Sequence, residues 1–98
     1  MKSHNYFVYI TTNPSKTVLY VGVTNDLSIR LEQHKENRRK AETFAGRYFC
    51  YKLLYYERHT LVHHAIEREK ELKLLSREQK IELVKIDNPY LQFLKVDD

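Results

Sequence analysis

The sequence predicts an α+β fold, a three-stranded, mainly antiparallel sheet flanked by helices in the order β-β-α-β-α-α, as a single domain over residues 1–98. Three observations predict it. Two short runs of β-branched and aromatic residues, Tyr6–Thr11 and Thr17–Val23, flank a polar turn. A third run, Tyr48–Glu57, is aromatic and nearly continuous. Helix-start residues precede each stretch of helical periodicity.

The first two runs read as a hairpin. Pairing Tyr9 with Tyr20 puts the turn at Pro14-Ser15, where such residues belong. Val8 then lies opposite Val21 and Ile10 opposite Leu19, all four on one face, because strand side chains alternate. Tyr9 and Tyr20 share the other face, with Gly22 opposite Phe7. One face is core and the other carries two phenols.

Thr24, Asn25 and Asp26 are N-cap candidates for a helix from Leu27 to about Lys40. Leu27, Leu31 and His34 fall on one side of it, and Arg30 and His34, four apart, stack on successive turns. Its far end, Lys35 to Lys40, is a charge run that suits either solvent or phosphate. Ala41 to Gly46 reads as a loop, with Phe44 free to pack or to touch a ligand. Tyr48–Glu57 resembles a central strand buried on both sides, its four tyrosines better suited to packing than to base stacking.

Thr60 is the expected cap of a helix from Leu61 to about Leu75. At about 100° per residue, Leu61, Val62, Ala65 and Leu72 form one apolar arc, and Glu69 falls inside it, opposite Glu67 and Glu71. A carboxylate there needs a partner, usually a cation: a structural glutamate bonded to Arg or Tyr is one reading, a functional role the other. Ser76-Arg77-Glu78-Gln79 is a capping box that opens a last helix to about Ile86, and Asn88-Pro89 ends it. His59, His63 and His64 invite a zinc reading. His59 lies outside the helix, however, and no cysteine or well-spaced third ligand completes a site.

Taken together these residues resemble the GIY-YIG nucleases, including the GIY-YIG domain of the excinuclease incision subunit. Gly-Ile-Tyr stands as Phe7-Val8-Tyr9 and Tyr-Ile-Gly as Tyr20-Val21-Gly22. Arg30 follows the second tyrosine by ten residues, His34 comes four later, and Glu69 lies on a helix followed by Lys70, Glu71, Leu72 and Lys73. Val23 stands where many members carry lysine or serine, so no lysine role transfers there. The resemblance covers nearly the whole chain. It implies a metal-dependent endonuclease acting on DNA in repair or processing, with Tyr9 as favoured base aided by Tyr20, Arg30 on phosphate and His34 beside a tyrosine. It also implies Glu69 as ligand of one divalent ion. Arg38, Arg39, Lys40 and Lys73 are the expected nucleic-acid contacts. Asn88 corresponds loosely to an asparagine of larger members, but its spacing from Glu69 is longer, and a helix stop accounts for it.

The chemistry is coherent. A hard carboxylate-and-water site suits Mg²⁺ or Mn²⁺, and a guanidinium suits the charge that grows on a phosphate. A tyrosine base needs a lowered pKa, since an ordinary phenol is about one part in a thousand ionised at neutral pH. The alternatives are a nucleic-acid-binding module of the same fold that does not cut, and a structural partner-binding domain. Composition permits all three. Seventeen Lys and Arg against thirteen Asp and Glu give +4, modestly basic, and 42% hydrophobic residues argue against disorder. One cysteine excludes a disulfide framework within the chain, and no apolar run is long enough to span a membrane. The N-terminus lacks a signal-peptide pattern, so the expected location is cytoplasmic.

Overall fold

The computed structural model describes residues 5–37 and 48–96. The elements run β1 (Tyr6–Thr12), β2 (Leu19–Thr24), α1 (Leu27–Glu36), β3 (Lys52–His59), α2 (Val62–Leu74) and α3 (Arg77–Asp87). The sheet order is β2-β1-β3 and both pairings are antiparallel, so the expected α+β class and element order are found.

Three expectations about the strands need correction. The first strand, not the aromatic third, is central. β3 is an edge strand, and its start is shielded by a bridge from Leu53 to Leu94. Tyr55 is buried, whereas Tyr48 and Tyr56 are exposed. The hairpin register is also displaced by two residues: Tyr9 pairs with Gly22, Val8 with Val23 and Ile10 with Val21. The cause is the loop. Asn13 Oδ1 accepts hydrogen bonds from the backbone N–H of Thr17 (2.8 Å) and Val18 (3.0 Å), and Lys16 takes a left-handed conformation (φ 59°). The chain therefore reverses one residue later than Pro14-Ser15. A two-residue slip keeps every side chain on its face, so the division into a core face and a phenol face survives.

The core face joins Val8, Ile10 and Val21 to Leu54 and Tyr55, and buries Ala65 of α2 and Val84 of α3. The opposite face packs Tyr9, Leu27 and Leu53 with Leu31 of α1 and with Leu94 and Val96. Helix ends follow their side-chain chemistry. Asp26 is the N-cap of α1, accepting from Ile29 N–H at 3.1 Å, and α1 ends at Glu36 rather than near Lys40. Ser76 and Gln79 form the expected capping box. α2 starts one residue later than Thr60 predicts: Leu61 is its N-cap and supplies no side-chain bond.

The sequence did not reveal an ion network between β3 and α2. Glu57 accepts Nε–H and Nη2–H bonds from Arg68 at 3.0–3.1 Å, and also bonds the Tyr55 hydroxyl and His59. Burial pushes the Glu57 carboxyl up, but the hydrogen bonds from Arg68, Tyr55 and His59 outweigh it and hold the pKa below the ordinary glutamate value. That lowered pKa contributes stability present above the unfolded-state value and lost as pH falls through the folded-state value. Arg68→Ala leaves the half-buried carboxylate without its cation. It should cost about 1–3 kcal/mol and should flatten the acid limb of a plot of melting temperature against pH.

Candidate active site

Tyr9 sits in the middle of the central strand and is fully buried. A buried hydroxyl needs partners, and α1 supplies them. The Tyr9 hydroxyl lies 2.8 Å from His34 Nε2, and Arg30 Nε–H donates to its oxygen at 3.2 Å. The four-residue spacing of Arg30 and His34 on α1 lets both reach one atom. With the oxygen already accepting from Arg30, the phenol proton is directed at His34 when that histidine carries its own proton on Nδ1. Arg30 Nη1–H donates to Gln33 Oε1 at 3.2 Å, so the guanidinium is held at two ends. Tyr20 completes the cluster, its ring centroid 6.3 Å from that of Tyr9 and 5.4 Å from that of His34.

Gly22 makes room for this arrangement. It lies opposite Tyr9 in the ladder, and a Cβ there would come within 2.4 Å of the Tyr9 hydroxyl oxygen and 2.5 Å of Cζ. Its φ is not positive, so glycine is present for space, not for backbone freedom. The signal was in the sequence, as a glycine interrupting a β-branched strand. The assumed register set it against Phe7 and hid its purpose. Gln33 was missed as well, although it stands three residues from Arg30 on the same helix.

Tyr9 and His34 rest in their neutral forms beside a charged Arg30. Burial is the largest influence on Tyr9 and raises its pKa to about 12; Arg30 pulls it down, while Tyr20 and Glu69 push it further up. Burial, then the Arg30 charge, lowers the His34 pKa to about 4. The hydrogen bond to Tyr9 is the largest influence on Arg30 and raises its pKa.

Glu69 lies on α2 with its side chain 17% exposed, near enough for its charge to act on the Tyr9 phenol. Its setting differs from the expected one. The buried side of α2 is Ala65 and Leu72, while Leu61 and Val62 are about half exposed (47% and 46%), so Glu69 borders the apolar stripe and is not enclosed by it. Lys73 Nζ stands 3.6 Å from Glu69 Oε1. Glu67 and Glu71 are exposed, and Glu71 pairs with Arg68. Among the described residues no three His, Cys, Asp or Glu side chains cluster to hold a metal. A lone carboxylate with an open side nevertheless fits Mg²⁺ or Mn²⁺, which keep several waters and take one or two carboxylates plus substrate phosphate. Arg38, Arg39, Lys40 and the 41–46 loop with Phe44 lie outside the described residues. Asn88 is remote from this chemistry in role: it caps α3, and its Nδ2 donates to the carbonyls of Leu54 (3.0 Å) and Gln92 (2.8 Å).

The family profile described as the GIY-YIG catalytic domain matches residues 5–82. Among solved structures, the chain is similar to a solution structure of a UPF0213 protein from Bacillus halodurans, with 28% identity over 88% of each chain and a TM-score of 0.55. No curated protein matches.

Gly22→Ala should force the Tyr9 ring off His34 and Arg30 at a cost of about 1–3 kcal/mol. A displaced His34 ring resonance in the NMR spectrum, with a lower melting temperature, is the expected result. His34 gives a separate pH signature. Its folded pKa, about 4, lies below the unfolded value of about 6.5, so its share of stability is present above the unfolded value and is lost as pH falls toward the folded one. An NMR titration should find His34 neutral at pH 5. His34→Gln should reduce the slope of stability against pH over that window.

Proposed function

Because the chain belongs to the GIY-YIG catalytic-domain family, we propose that it is a metal-dependent endonuclease that hydrolyses phosphodiester bonds in DNA. The observation that carries the reading is the Tyr9 phenol held jointly by Arg30 and His34. A stability role alone would be served by an apolar side chain without the guanidinium.

In this reading the phosphodiester lies between Arg30 and Glu69. The remaining N–H groups of the Arg30 guanidinium bind phosphate oxygens, where negative charge grows as water attacks. Tyr9 accepts the proton of the attacking water as its own proton passes to His34. The phosphorus–oxygen bond to the leaving sugar then breaks, and the departing oxygen is protonated by solvent. Glu69 would hold one Mg²⁺ or Mn²⁺, with Lys73 beside it as a phosphate contact; such an ion, when bound, would supply Lewis-acid charge to the phosphate. Tyr20 shields the cluster and orients the ring of His34. Arg38, Arg39 and Lys40 extend the contact to flanking phosphates.

A second reading is a nucleic-acid-binding module of the same fold that does not cut. The resting pKa values, about 12 for Tyr9 and about 4 for His34, favour it, since they hold the proton on the phenol.

Cleavage of a panel of labelled DNA and RNA substrates, with and without Mg²⁺ or Mn²⁺, separates the two. Wild type should cut only with metal. Glu69→Ala should abolish cutting and leave the metal-free melting temperature nearly unchanged, whereas Glu67→Ala should keep activity. Arg30→Ala should lose transition-state stabilisation of about 3–4 kcal/mol, and Arg30→Lys should recover only part of it, because an ammonium cannot make the bidentate fork. Equal cutting by wild type and Glu69→Ala would refute the assignment. Binding without cutting by both would favour the module.

A further inference from the structure

Round α1 from Arg30 and His34 lies a groove of about 430 Å³, bounded by α1, the start of β3 and residues 93–96. Leu31 follows Arg30 and Lys35 follows His34, so each is turned about 100° round the helix from the phenol cluster, and both line this groove. Its chemistry is mixed cationic and aromatic. Lys52 Nζ lies over two rings, 5.2 Å from the Tyr51 centroid and 5.4 Å from that of Phe93. Lys16 Nζ approaches Phe93 at 5.0 Å. Lys95 is exposed at the rim, and Phe93 is 39% exposed. None of Lys16, Lys52 and Lys95 has a carboxylate partner among the described residues.

We propose that this groove binds a single-stranded stretch of nucleic acid continuous with the strand held at Tyr9. The inference rests on the nuclease reading and adds to it a preference for substrates with an unpaired segment. Lysines over aromatic rings are held in place by cation–π attraction while their outer N–H groups stay free for phosphate. An unpaired base can stack on Phe93 as its phosphate draws one of the overlying ammonium groups aside, whereas a base inside a duplex offers no free face to the ring. The groove and the phenol cluster are separated by one helix, about 10 Å across, so a strand leaving the site can round α1 and enter. Glu32, among the lining residues, sets a limit on the charge but leaves lysine in excess.

The test measures binding of a labelled oligo-dT and of a blunt duplex to the full chain by fluorescence anisotropy over a salt series. Lys52→Glu combined with Lys95→Glu should weaken oligo-dT binding at least about tenfold and reduce the log–log salt slope by about 1.4, the value for two lost single-strand phosphate contacts. Phe93→Ala should weaken oligo-dT binding with the slope unchanged. Lys52→Gln with Lys95→Gln, a milder pair checked by thermal melting, should fall between wild type and the reversal. Lys85→Glu, an exposed charge change on α3, should match wild type. Unchanged affinity and slope in the reversed pair would overturn the groove while leaving a cutting wild type, and with it the nuclease reading, intact. Competition by poly-glutamate as strong as by oligo-dT of equal charge would also overturn it, in favour of an acidic peptide. A wild type that binds neither nucleic acid would overturn both.

Discussion

A phenol buried in the central strand must have its hydroxyl satisfied, and much of the structure follows from that requirement. The Tyr9 side chain is fully buried in the resting fold, and its hydroxyl takes its partners from neighbouring side chains. The polar groups that reach it come from α1, which must therefore pack across the sheet with Leu27 and Leu31 inward and Arg30 and His34 over the phenol. The neighbouring strand must lack a side chain opposite, which makes Gly22 a spatial necessity. Bonding to the phenol also keeps Arg30 from swinging free. In the proposed reading, the cation that would meet phosphate is thus held by the same contact that satisfies the core.

Two carboxylates at α2 use charge differently. Between β3 and α2, Glu57 is enclosed by Arg68, Tyr55 and His59 and has little capacity for a further ligand. At the residue after Arg68 on α2, Glu69 has, among the described residues, a single ion pair, to an exposed lysine at 3.6 Å. Bonds as close as those of Glu57 fix a geometry, whereas a long pair to a mobile ammonium exchanges readily. Residue type does not separate these carboxylates; the number and rigidity of their partners does.

Local patterning made much of this legible. The hairpin, the two faces and the Ser76 capping box follow from alternation, helical spacing and capping chemistry, as do the pairs Tyr9 with Tyr20 and Arg30 with His34; the association of all four comes from the resemblance to the GIY-YIG nucleases. What escaped depended on contacts between distant segments. The order of strands is set by which hydrophobic run finds the middle, and the aromatic richness of Tyr48–Glu57 was no guide to it. The register turned on one asparagine side chain in the loop. The Glu57–Arg68 pair joins residues eleven apart on different elements, and neither belongs to a repeating pattern. For Glu69 the helical wheel gave the right side but not the edge, because Val62 and Leu61 stay about half exposed.

The central strand is also the first to be made. Tyr6 pairs with His59 and Thr12 with Lys52, so during synthesis β1 waits for the chain to pass residue 59 before both its edges are occupied. Until then β1 and β2 form only a two-stranded ribbon, which is marginal on its own. The phenol, its arginine and its histidine have all emerged by residue 34, yet Leu53, which packs with Tyr9, has not. The nascent chain thus carries the site's polar residues well before it can bury the Tyr9 ring against Leu53. This orders the final docking of β3 after the hairpin, as expected where long-range antiparallel pairing sets the pace of folding.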